Sequence, residues 1–140
     1  EEKVASDDMP RHAVLALLVT GPFFQEYCRS FQRAKEPIDP RPWHKLVVDR
    51  DVDEDFRTNL LEAFGHHSFY EPSWKYLEQD SEAFLSIAEN ARESRRIREF
   101  ALRAIQAVVR RLGAAEVPEE KRAAFENTER RLYEAEAEME

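Results

Sequence analysis

Apolar residues recur every three or four positions along most of this chain, and that spacing predicts helices. Asp7 or Asp8 is placed to cap a first helix with Pro10 in its opening turn, running through Ala13–Val19. Gly21 and Pro22 interrupt it, and Phe24, Tyr27, Cys28 and Phe31 then form the stripe of a second helix over 22–35. Residues 36–43 hold three prolines in six positions and read as a linker or an extended loop. Leu46, Val47 and Val48 fit either a short buried strand or a turn of helix. Phe56, Leu60, Leu61 and Phe64 predict a helix with acids in its first turn and Gly65 at its end. Residues 66–73 read as a loop, at whose end Pro72 and Ser73 signal another start carrying Trp74 and Leu77.

The longest pattern lies between Asp80 and Gly113. Phe84, Ile87, Ala91, Ser94, Ile97, Ala101, Ile105, Val108 and Leu112 step by three or four, predicting one long helix over about 81–112, capped by Asp80 or Ser81. Asn90–Ser94 is its weakest part. Pro118 opens a last helix to about 139, with Phe125, Leu132 and Met139 seven apart and Thr128 and Ala135 between them. So thin a seam requires a neighbouring helix to lean on.

These elements make an all-α, single-domain bundle of five or six helices spanning 1–140, with 1–9 loose. A βαβ start, with strands at 12–19 and 45–49, is the alternative. It lacks further strands in the second half, and its first run is rich in helix-favouring Ala and Leu. Composition supports the bundle. The 140 residues are 42% apolar with only three glycines, at 21, 65 and 113, fewer than strand-rich folds need for turns. Charged residues reach 36%, which suits thin, well-solvated helices.

Net charge is −8, which disfavours general nucleic-acid binding. No apolar run approaches the roughly 20 residues that span a bilayer, so no membrane partner is expected. The single cysteine, Cys28, cannot form an internal disulfide and fits a reducing, cytoplasmic setting. It sits between Phe24 and Phe31 on an apolar stripe and reads as a buried, inert thiol.

Five acids crowd residues 49–55, and Glu62 follows. Asp51, Asp53, Asp55, Asn59 and Glu62 occupy oxygen-ligand positions of a spacing that resembles an EF-hand calcium loop. Phe56 stands where that loop requires glycine. The apolar run followed by Asp49 and Asp51 also resembles the first motif of haloacid-dehalogenase-like phosphatases, which implies an Asp49 nucleophile and an Asp51 acid/base. Asp53 replaces the expected threonine there, and the remainder is helical. A helix N-terminus accounts for the acids, Phe56 and the downstream stripe together. His66 and His67, flanked by Glu62 and Glu71, are a further metal candidate, but adjacent histidines diverge on regular backbone. No catalytic residue, cofactor or metal is assigned.

Charge is distributed unevenly. Residues 92–111 carry seven arginines against two glutamates, and residues 116–140 nine glutamates against four basic residues, giving +5 and −5. Arg92, Arg95, Arg96 and Arg103 share a broad helix face, flanked by Arg98 and Arg110. Two readings follow: the two helices match each other in an antiparallel hairpin, or the arginines meet an acidic partner. Trp43, Tyr70 and Trp74, with Phe69, either plug the core from loops or form a recognition patch. The expected function is a non-enzymatic protein-interaction module, an adaptor or accessory subunit, whose partner is a protein or another copy of itself. A metal-dependent enzyme or sensor using Asp49–Glu62 with His66 and His67, and a nucleic-acid accessory subunit using the 92–111 arginines, are the alternatives.

Overall fold

The computed structural model describes residues 39–65 and 70–139. The helices expected over 10–35, Cys28, and the loop residues His66, His67 and Phe69 lie outside them. Among the described residues there are five α-helices and no strand. They are α1 (Arg41–Val48), α2 (Glu54–Phe64), α3 (Leu77–Glu89), α4 (Arg95–Gly113) and α5 (Arg122–Met139), with 3₁₀ turns at Trp74–Tyr76 and Glu119–Lys121.

The proline-rich stretch is not a linker through residue 43. Prolines tolerated in a first turn begin α1 at Arg41, and Asp39 Oδ1 accepts the Arg41 backbone N–H at 3.0 Å. Leu46–Val48 is the end of that helix rather than a strand. Asp53 is the N-cap of α2, its carboxylate accepting the Phe56 N–H at 3.1 Å, with Glu54 and Asp55 in the first turn.

The single helix expected over 81–112 is two. The 3₁₀ turn and α3 run together from Trp74 to Glu89, so neither Asp80 nor Ser81 is a cap, and the chain reverses between Asn90 and Ser94. Asn90 Oδ1 accepts the Arg92 N–H at 2.9 Å and ends α3. The Ser94 hydroxyl accepts the Ile97 N–H at 3.3 Å and starts α4. Side-chain oxygens that compete for backbone donors on both sides of a short segment stop a helix even where its apolar spacing continues.

The antiparallel α3–α4 pair is the centre. The pairs Arg41–Tyr76, His44–Asp80 and Arg50–Arg92 rise together in sequence, so α1 runs parallel to α3. α2 packs on α4 with first turns adjoining, Glu54 accepting the Ser94 hydroxyl at 3.0 Å. α5 lies along both α3 and α4. It is antiparallel to α4, with Arg98 beside Glu138 at one end and Gly113 beside Phe125 at the other. A Cβ at Gly113 would stand 3.1 Å from the Phe125 ring, so the missing side chain lets that ring close over the end of α4. Val47, Leu60, Leu61, Phe64, Leu77, Phe84, Ile97, Ile105 and Val108 fill the middle, and α5 contributes Phe125, Leu132, Ala135 and Met139. The seam read at seven-residue spacing is the one that docks.

Candidate interaction surface

Two polar clusters are enclosed by this packing. Asp80 is fully buried on the first turn of α3, where the positive end of the helix dipole favours an anion. The Tyr70 hydroxyl donates to its Oδ2 and His44 Nε2 lies against its Oδ1, both at 2.7 Å. Burial pushes the Asp80 carboxyl above its ordinary range, opposed by the bonds from His44 and Tyr70. Burial, then the Asp80 charge, pushes the Tyr70 phenol far up, which keeps it a donor. An Asp–His pair invites a catalytic reading, but Phe64 and Phe84 rings stand 6.0 and 5.4 Å from the imidazole and the residue is 7% exposed. The trio joins α1, the segment before the 3₁₀ turn, and α3.

The second cluster centres on Arg57. Its guanidinium makes two bonds to Glu93, of 3.2 and 2.5 Å, and its Nε donates to the Val47 carbonyl at 2.8 Å. One side chain thus satisfies an unpaired carbonyl at the end of α1 and a buried acid in the α3–α4 turn. His44, Arg57 and Glu93 had no candidate role in the sequence, and Asp80 had only that of a helix cap. Nothing in their spacing distinguishes a buried charge from a surface one.

The acidic segment is taken up by a helix cap, a turn and the start of α4. Asp53 caps α2, Asp49 accepts the Asp51 N–H at 2.9 Å, and Asp55 pairs with Arg96 at 2.7 Å. Asn59 and Glu62 lie exposed further along regular helix. Among the described residues no three His, Cys, Asp or Glu side chains are grouped to hold a metal ion, and no helix is long and apolar enough to cross a membrane. Of the aromatic residues considered for a recognition patch, Trp43, Tyr70 and Trp74 are taken up by packing instead. Trp43 and Tyr70 are buried, and Trp74 lies half-buried with its ring 5.3 Å from Phe125.

The arginines divide into two groups. Arg98 donates to the Ala88 carbonyl at the end of α3, and Arg111 to the Tyr70 carbonyl. Arg96 pairs with Asp55, while Arg95 bonds Glu99 and the Met139 carbonyl. Arg92, Arg103 and Arg110 are exposed, and their guanidinium groups meet no acid among the described residues. Arg103 lies 4.8 Å over the Phe100 ring. Arg96, Arg103 and Arg110 are seven apart, so they form one line along α4 within about 40° of each other and roughly 10 Å per step.

The expected match of +5 against −5 is therefore barely made. Among the described residues it amounts to Arg98 with Glu138 at 3.7 Å. The stronger pairing runs in the opposite sense, from the acidic helix's Arg131 to Glu89 of α3 at 2.8 Å, with Glu82 at 3.4 Å. The fold has used Arg131 of α5 in this way, leaving Glu126 and Glu129 of α5 and Arg103 and Arg110 of α4 facing outward. No family model, curated protein or solved structure matches this chain.

Proposed function

We propose that the chain is a non-enzymatic helical interaction module that binds an acidic protein surface through the outer line of α4. One observation carries this reading. Among the described residues Arg92, Arg103 and Arg110 are exposed without an acidic partner, in a protein of net charge −8 where acids outnumber bases. Four other arginines of the same segment are committed to the fold, Arg96 of the line among them, so packing accounts for one end of the line and leaves Arg103 and Arg110 unexplained. Arginine is one of the residues enriched at binding hot spots. The overall negative charge argues against a nucleic-acid backbone as the partner.

Affinity capture with quantitative mass spectrometry tests this, comparing the wild-type chain with R103E/R110E at matched melting temperature. The expected result is a protein retained by the wild type and lost with the double variant. Equal retention by both overturns the reading.

A further inference from the structure

Resting on that interaction reading, we infer that the acidic surface engaged by the α4 line is the α5 face of a second copy of this chain, in a two-fold symmetric dimer. α5 turns Glu126, Glu129, Arg130 and Tyr133 outward, with Glu136 half-buried on the side nearest α4. Tyr133 is 73% exposed, and among the described residues it and Val48 are the large apolar side chains left at the surface. The Gln106 amide donates to Glu136 at 2.6 Å and marks the seam between the two helices. A basic row and an acidic row thus lie side by side on one face.

Their heights correspond. From the contacts of Arg98 with Glu138 and of Gly113 with Phe125, an equal rise of about 1.5 Å per residue on each antiparallel helix sets Arg103 level with Tyr133–Glu136. Arg110 falls level with Glu126–Glu129. A two-fold axis along the groove between α4 and α5 exchanges the helices without changing height. It therefore lays Arg103 of one copy over Tyr133 and Glu136 of the other, and Arg110 over Glu126 and Glu129, twice per dimer. An isologous interface requires a patch complementary to itself, and adjacent rows of opposite sign meet that requirement. Among the described residues Arg103, Arg110, Glu126 and Glu129 have no ionic partner within one chain, and they are the charges that pair between two. Tyr133 gains a guanidinium over its ring, the combination Phe100 and Arg103 already show within the chain.

The charge of −8 on each copy opposes association at long range, so charge exchange is a sharper test than added salt. Sedimentation equilibrium on the full chain is expected to show a dimer. R103E/R110E weakens it about tenfold or more, as does E129R/E136R, since several exposed pairs of modest strength are lost at once. The chain carrying all four changes recovers wild-type dimerisation to within a few-fold. A monomer up to about 1 mM overturns the inference, as does a dimer indifferent to R103E/R110E or a four-fold variant that stays dissociated. Thermal melts confirm that each variant is folded. If the chain is monomeric yet R103E/R110E still loses a captured protein, the second-copy assignment alone fails. If R103E/R110E alters neither measurement, the α4 reading falls with it.

Discussion

Glu93 is the residue on which the α1–α2 side of the bundle depends most. It and Arg57, its bidentate partner, are 8% and 3% exposed, and the other cation near Glu93 among the described residues is the exposed Arg50, 3.8 Å away. Removing one member of such a pair leaves a buried charge alone and costs about 3–5 kcal/mol. Glu93→Gln and Arg57→Met are each expected to lower stability by that order in urea unfolding, whereas the double change costs less than the sum, since neither charge is then stranded. Tyr70→Phe leaves Asp80 Oδ2 buried without its donor, with an expected loss of about 1.5–3 kcal/mol. In the wild type burial and the Asp80 charge raise the Tyr70 phenol above its ordinary range, so its ionisation is expected to accompany unfolding. Alkaline titration followed by absorbance at the phenolate band should show its step coinciding with the loss of helical signal. None of these pairings was legible beforehand. His44 and Asp80 lie 36 residues apart, as do Arg57 and Glu93, and no local pattern links them.

Among the elements, the break at residues 90–94 decides the architecture. A continuous helix from 81 to 112 would be a rod, while the reversal makes the hairpin on which every other described helix packs. The Ser94 hydroxyl starts the second arm, so Ser94→Ala is expected to cost about 1 kcal/mol in chemical denaturation. The apolar spacing concealed this break because Ala91 and Ser94 keep step with the stripe, yet both end up exposed in the turn. Asn90 and Ser94 were the signal, since both compete with the helical backbone for hydrogen bonds. The docking of α5 has a titratable anchor in Lys121, which bonds Glu78 of α3 at 2.9 Å and holds its carboxyl below the ordinary 4.5. A depressed folded pKa means that the contact is stabilising above the ordinary carboxylate range and is lost as pH falls through the lower folded value. NMR titration of Glu78 should place its midpoint below 4.5, and Lys121→Met should raise it toward that value. The neighbouring Ser81–Thr128 contact carries no charge and should persist through the same titration.

At the scale of the whole molecule, charge that is uneven along the sequence becomes uneven in space. The antiparallel course of α4 and α5 converts two segments of opposite sign into adjacent rows on one face, and the dimer proposed above is the consequence to be measured there. The pattern of apolar and polar residues determined by itself that the chain is helical, that α2 starts at the acidic segment, and that α5 docks through Phe125, Leu132 and Met139. Those properties depend on residues within a few turns of each other, where spacing, capping and the helix dipole act. Tertiary structure alone decided which charges are buried, which of the seven arginines brace helix ends, and which face outward. Those outcomes depend on desolvation and on partners some 40 residues away, and both arise only when the helices meet.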